Sequence, residues 1–406
     1  MEVVYREVAA IDIGKRQSVV HVKTPTIEET RSFGMMTADL LDLADWLREC
    51  GVQQVVMEST GVYWKPIYNL LEGDEFDLWL VNARDFRAVP GRKTDVQDSH
   101  WLCDLMRHGL LRRSFVPPKG QRELRELVRY RRSLIEERAR EFNRLEKVLE
   151  GANIKLGAVA SKLTGKSVRL ILGAMVNGED DPETLAELAK GRLRNKHDEL
   201  VQALQGLMGE HQRFLLQEQL GHLADLDARI LRLDLEIGER LRPFVDELER
   251  LQTIPGVGAR VSQELLAEIG WDMTRFPSAQ HLAAWAKLCP GNNLSAGKRK
   301  HGRTGHGNRY LRTTLTEAAH AAGRTQNTYL QAQYQRLASR RGAKRAAIAV
   351  AHSILTIAYH LLSRKTDYQD LGANYFDERK EQTVVHRLQR RLEKLGYQVD
   401  LTKQVA

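Results

Sequence analysis

The hydrophobic period of the chain changes once, near residue 121, and that change limits what it can fold into. From Val3 to about Leu111, short apolar runs alternate with helical patterns. Ala9 to Ile13 and Ser18 to Val22 read as a strand pair turning through Gly14, because β-branched residues flank a polar turn. Helix Ala38 to Cys50 feeds a strand at Val52 to Met57, and a further apolar run, Phe76 to Val81, follows helix Tyr63 to Glu72. These are the parts of an α/β layer, a sheet covered by helices. Beyond Gln121, Leu124, Val128, Ile135, Phe142, Leu145 and Leu149 recur at helical spacing among Arg and Glu. Leu216, Leu220, Leu223, Ile230, Leu233, Ile237 and Leu241 repeat the theme. The two stripes predict an antiparallel helical hairpin or coiled coil between the terminal domains.

A new unit starts near Leu251. Its Ile254-Pro-Gly-Val-Gly-Ala-Arg-Val-Ser, followed by an apolar helix, reads in two ways. It is either half of a helix-hairpin-helix element, with glycine amides approaching a phosphate backbone, or a tight turn between helices. A chain of 406 residues exceeds one ordinary core at about 150 residues per domain. The expected class is therefore α/β plus all-α. The expected units are an α/β domain at 1–115, a helical or coiled-coil region at 116–248, a mostly helical domain at 249–365 and a charged tail at 366–406 with a terminal helix from Asp377 to Leu395. The apolar stretch Ala346 to Leu362 is broken by His352, Ser353 and His360 and falls short of the roughly 20 residues a bilayer needs, so it reads as a core helix. No membrane partner is expected. The N-terminus carries Glu2, Arg6, Glu7 and Asp12 and no cleavable hydrophobic segment, which predicts a cytoplasmic protein. Cys50, Cys103 and Cys289 lack the paired spacing of zinc sites or disulfide frameworks.

The formal charge is +9, which favours a polyanionic partner. Its distribution is sharper. Between Gly291 and Arg345 stand twelve Lys/Arg against one acid, Glu317, so the segment cannot neutralise itself and phosphates are the natural counter-charge.

Four acids form a second pattern. Asp12 ends an apolar strand, where it is either a turn former before Gly14 or a site residue. Glu58 ends a later strand, Val-Val-Met-Glu-Ser-Thr-Gly, and ends of adjacent strands are where open α/β sheets assemble their sites. Asp95 and Asp98, in Lys-Thr-Asp-Val-Gln-Asp-Ser-His-Trp-Leu, share one face of a helix start. They either cap free amides or share a metal. Taken together, the order and spacing resemble RuvC-like and RNase H-like metal nucleases, whose carboxylates hold hard Mg²⁺ ions. Lys93, just before that helix, is either a phosphate contact or a solvated lysine.

The most informative stretch of the C-terminal half runs from Cys289 through Ser295, Lys298, Arg299, Lys300, His301, Arg303 and His306 to Arg309, Tyr310 and Arg312. Its glycines permit close backbone approach to phosphate and its cations supply countercharge. Ser295 is either a surface residue or a hydroxyl placed to attack phosphorus. No Gly-x-Ser-x-Gly elbow accompanies it, which disfavours hydrolase chemistry.

Asp12-Ile-Gly-Lys, Met57-Glu-Ser-Thr-Gly, Lys93-Thr-Asp-x-x-Asp, Ile254-Pro-Gly-Val-Gly and Ser295-Ala-Gly followed by Gly-Arg-x-Gly-x-Gly-Asn-x-x-Leu-Arg together resemble the IS110 insertion-sequence transposases, a family that includes the pilin-gene invertases. The match covers roughly residues 5 to 112 and 250 to 362, with Ala296 where the family often has Gly. The resemblance implies a RuvC-like domain in which Asp12, Glu58, Asp95 and Asp98 bind Mg²⁺, and a second domain whose Ser295 is the nucleophile. It also implies a structured guide RNA, the bridge RNA, pairing with donor and target DNA, and dimers that synapse into a tetramer. Lys298, Arg299, Lys300, Arg303, Arg309 and Arg312 are then the expected nucleic-acid contacts. Three other readings compete: an endonuclease using water in place of Ser295, a tyrosine recombinase using Tyr310, and a non-catalytic nucleic-acid-binding protein. The second is disfavoured because His301, His306, Arg309 and Arg312 crowd too closely around Tyr310 to form an open catalytic ring.

Overall fold

The computed structural model describes residues 2–59, 61–73, 75–82, 95–160, 163, 165–290, 293–295, 298–301, 304–305, 307–379 and 381–399, without side chains at 95–97, 293–295, 298–301, 382–384 and 387. The chain divides into two compact units, Met1–Lys119 and Gly120–Ala406.

In the first unit, strands β1 (Val8–Ile13), β2 (Gln17–Lys23), β3 (Glu28–Gly34), β4 (Gln54–Glu58) and β5 (Asp77–Val81) form one mixed sheet in the order β3-β2-β1-β4-β5. β1 and β2 close through Gly14, whose amide donates to Gln17 O at 2.9 Å. A Cβ on Gly14 would stand 2.6 Å from that same carbonyl, which is why glycine occupies the turn. β1, β4 and β5 run parallel, so their C-terminal ends share one edge of the sheet. Helices α1 (Thr37–Glu49) and α2 (Trp64–Leu71) cover one face through Ile11, Ile13, Met57, Leu43, Leu47 and Ile67. The other face carries Val8, Ala10, Val56 and Val81 and packs on Leu102, Cys103 and Met106 of α3 (Asp95–Arg107). β3 lies outside the sequence expectation. Its Glu-Glu-Thr-Arg-Ser-Phe-Gly has no apolar alternation because it is an edge strand, held by backbone pairing to β2.

Among its described residues the second unit is helical apart from one hairpin. α4 (Lys119–Gly151) and α9 (Glu210–Leu241) run antiparallel, as successive ion pairs record: Arg240 to Glu123 at 3.1 Å, Arg131 to Asp234 at 2.9 Å and Arg138 to Asp227 at 2.7 Å. Leu134, Leu226 and Ile230 pack between them. The segment between these helices forms α5 (Leu156–Val159), α6 (Lys166–Val176), α7 (Pro182–Glu187) and α8 (His197–Leu204), which close a core around Leu145, Leu149, Ile171, Leu172, Leu200 and Leu216.

Next come α10 (Val245–Gln252), α11 (Ala259–Ile269), α12 (Ala279–Trp285), α13 (Arg309–Ala322), α14 (Tyr329–Arg341) and α15 (Ala343–Arg364). α15 passes the length and hydropathy of a membrane span, yet its Ala346, Ala347, Val350, Ile354 and Ala358 are buried in protein. The alanines among them let neighbouring helices approach closely. The expected terminal helix is split into α16 (Tyr375–Glu378) and α17 (Glu381–Lys394).

The glycines of Ile254-Pro-Gly-Val-Gly differ in their roles. Gly256 has φ +85°, and a Cβ there would lie 2.4 Å from Ala318 O and 2.5 Å from Ala322 N of α13. Gly258, the N-cap of α11, has nothing within 4 Å of its Cβ position. Gly256→Ala therefore combines left-handed strain with backbone overlap and should lower the unfolding free energy by about 2–5 kcal/mol. A urea melt with an unchanged midpoint would show that α13 yields freely.

Candidate nucleic-acid processing site

Strand register determines which acids can meet. Ile11 and Met57 are paired across the parallel strands β1 and β4 and both point into the α1/α2 core. Asp12 and Glu58 each follow by one residue, so alternation turns both to the α3 face at the C-terminal ends of adjacent strands. Both are partly buried. α3 packs on that face and begins with Asp95, with Asp98 exposed in its first turn. Asp12, Glu58 and Asp98 are not a set whose donor atoms all lie within 4.8 Å among the described residues. The Asp95 side chain lies outside those described, as do Lys93, Arg303 and His306 altogether.

One group missed by sequence reasoning lies on the same face. His21 on β2 is paired with Ala10 of β1 and Thr30 of β3, and its ring, 2% exposed, stacks on His100 of α3 with centroids 3.5 Å apart. The Thr30 hydroxyl lies 2.9 Å from His21 Nδ1 and 3.0 Å from His100 Nε2. It has one proton, so it can donate to one ring while accepting from the other. Lys23 donates to Glu28 at 2.8 Å beside them. His21, Glu28 and His100 have donor atoms within 4.8 Å of one another. Thr30 can engage the lone pair of only one of the two rings, and Lys23 takes up one oxygen of Glu28. What the chain of contacts does is tie α3 to β2 and β3 two residues beyond Asp98. The available signal was His21 sharing the strand face of Asp12.

Burial and the neighbouring His100 push the His21 pKa down from 6.5 to about 4. Between those values the unfolded chain binds the extra proton and the folded one does not, so stability falls as pH drops from about 6.5 to about 4. The expected loss is at most about 3 kcal/mol, removed in His21→Asn, and a pH series of thermal melts measures it.

In the second unit the basic segment contains a hairpin, β6 (Asn293–Ser295) and β7 (Lys298–His301), with Ser295 directly opposite Lys298. A bridge between Pro290 and Thr304 extends it. Lys and Arg at successive positions hide this strand from hydropathy. The side chains of Ser295, Lys298, Arg299 and Lys300 are outside those described. Arg309 is exposed at the start of α13, whereas Arg312 donates to Lys287 O at 3.0 Å and Gly305 O at 2.6 Å and braces the loop. A Cβ on Gly307 would lie 2.4 Å from Ala286 O, so this glycine permits close approach to α12. Arg340, Arg341, Lys344 and Arg345 form a further exposed basic group around the α14–α15 turn.

Behind the hairpin, α4, α11 and α13 are joined by buried charge. Arg129 forms a bidentate pair with Glu268 at 2.8 and 2.9 Å, and Asn308 Nδ2 donates to the same carboxylate at 2.5 Å. Arg125 donates to Ala267 O at 3.0 Å, and its burial, opposed by Glu268, pushes its pKa down to about 10. Arg132 donates to Glu264 at 2.8 Å and also pairs with Glu317. The arginine pairings span more than a hundred residues, so no local pattern announces them.

Comparison with known proteins gives these features a context. A DEDD-type IS110 model described as "Transposase" matches residues 9–154, and one described as "Transposase IS116/IS110/IS902 family" matches residues 248–335. A Pseudomonas aeruginosa protein named "Probable family 20 transposase" is 27% identical over 287 residues, which is 69% of this chain and 75% of that protein. The Coxiella burnetii "Transposase for insertion sequence element IS1111A" is 28% identical over 246 residues, covering 52% of this chain and 66% of that protein. The two models occur in order, match parts of both units and together cover more than half of the sequence, so the chain belongs to the IS110 family of transposases.

Proposed function

We propose that the protein is a site-specific DNA recombinase that moves an insertion sequence by serine-linked strand exchange. The observation that carries this reading is the pair Asp12 and Glu58, side by side at the ends of parallel strands on the face covered by α3. With Asp95 and Asp98 they offer only carboxylate oxygens, a donor set that fits a hard divalent ion such as Mg²⁺. Bound there, Mg²⁺ would polarise the scissile phosphate and offset its charge. Ser295 Oγ forms a bond to phosphorus as the P–O3′ bond breaks. The serine proton passes, net, to the leaving 3′ oxygen, and the 5′ phosphate stays on the protein. Attack by a second 3′ hydroxyl reverses these changes on another strand, so bond energy is conserved and no ATP is needed. Lys298 and the other hairpin cations would lower the energy of the charged transition state, as preorganised donors do.

The RuvC-like character of the first domain, the DNA substrate, a structured guide RNA and assembly of dimers into a tetramer belong to the same proposal. The basic segment from Lys298 to Arg345 supports a polyanionic partner. Incubation with DNA labelled at the scissile phosphate and with Mg²⁺, followed by denaturation and peptide mass spectrometry, should find label on Ser295. Label released as free 5′ phosphate, with none on protein, would reject the serine link.

A further inference from the structure

Tyr310 stands two residues beyond Asn308, in the first turn of α13, where the basic hairpin enters the helix. Its ring is 38% exposed, with the Arg129 guanidinium 4.4 Å from the ring centroid. Arg129 cannot move freely. Glu268, 2% exposed, holds it through both carboxylate oxygens and holds Asn308 as well. Asn308 Oδ1 in turn accepts from Tyr310 N at 3.1 Å and Leu311 N at 3.2 Å. The tyrosine is thus fixed at its backbone by the Asn308 cap and at its ring by a clamped cation. Burying the Glu268 carboxylate is costly, and what its pairing with the partly exposed Arg129 supplies is orientation. A flat ring already immobilised loses little entropy when another flat group stacks on it. Arg309 is exposed beside it to meet a phosphate.

We infer that Tyr310 is a stacking platform for an unpaired nucleobase, positioned by Glu268, Arg129 and Asn308. Unpaired is the operative condition, because a base within a duplex has both faces covered by its neighbours. Strand exchange exposes such bases. The inference deepens the recombinase reading and rests on its nucleic-acid partner, but it does not depend on Ser295 chemistry.

The test is equilibrium binding of the full chain, without divalent cation, to short mixed-sequence oligonucleotides carrying one 2-aminopurine, as single strands and as perfect duplexes, in DNA and in RNA. Tyr310→Ala should weaken single-strand binding about 5- to 150-fold, change duplex binding little, and abolish the fluorescence quench of a stacked base. Tyr310→Phe should retain both affinity and quench. Glu268→Gln should keep the fold, by circular dichroism, yet lose part of the quench, since Arg129 is released. A larger single-strand loss in RNA or in DNA identifies which strand supplies the base. Equal losses for single strands and duplexes, or a quench that survives Tyr310→Ala, overturn the platform. Covalent labelling of Ser295 in the same Tyr310→Ala protein reports separately on the recombinase reading.

Discussion

Ser295→Ala should form no covalent protein–DNA adduct and should lower strand exchange by about 10⁴- to 10⁶-fold, the range seen when a nucleophile is removed from a cooperating set. The backbone pairing of Ser295 with Lys298 does not involve the hydroxyl, so the melting temperature should stay near that of the parent. The experiment also separates serine attack from hydrolysis. If water were the nucleophile, the alanine protein would cut DNA at the parent rate and release free 5′ phosphate. Ser295→Cys adds a second reading, because a sulfur nucleophile would leave a phosphorothiolate link that mass spectrometry distinguishes from phosphoserine. Parent-level adduct from the alanine protein would remove Ser295 from the mechanism altogether.

Asp12→Asn is expected to lower cleavage and adduct formation together by about 10³-fold or more, equivalent to the several kcal/mol that a catalytic cation supplies at a phosphoryl oxygen. The amide keeps the size of the side chain but removes a full negative charge from the oxygen donors. DNA affinity should be retained within a few-fold, because the basic segment lies in the other unit. Chelation of divalent ions should reproduce the phenotype in the parent protein. A non-catalytic DNA-binding protein predicts the opposite pattern, with no activity to lose in either case. Glu58→Gln should behave as Asp12→Asn does, since the two residues occupy equivalent positions on paired strands.

Much of the first unit was legible because period-two apolar runs and period-3.6 stripes impose themselves locally. Thus β1, β2, β4, β5, α1 and α2 all lie within a few residues of their expected positions. β3 was not legible, since an edge strand needs no apolar face, nor was the β6–β7 hairpin, whose cations mask strand propensity. The carboxylates were recognisable as strand-end acids, but the pairing of Ile11 with Met57 was needed to turn Asp12 and Glu58 to one face. Gly256 reads either as a phosphate approach point or as part of a tight turn and Gly307 as a phosphate approach point; in the fold the Cβ atoms they lack leave room for the backbones of α13 and α12.

Arg312 carries the same lesson from the opposite direction. As a sequence it is one more cation in a basic run; in the fold its guanidinium is taken up by the carbonyls of Lys287 and Gly305, while Arg309 three residues earlier remains exposed. Local chain chemistry accounts for the change from α/β to helical architecture, the strand-end acids and the excess of positive charge, because periodicity and charge act over a few residues. Which cations face outward, which glycines are structural, and how Glu268 clamps Arg129 and Asn308 depend on residues brought together across as many as 139 positions. Contacts of that range arise from packing, which a linear pattern does not encode.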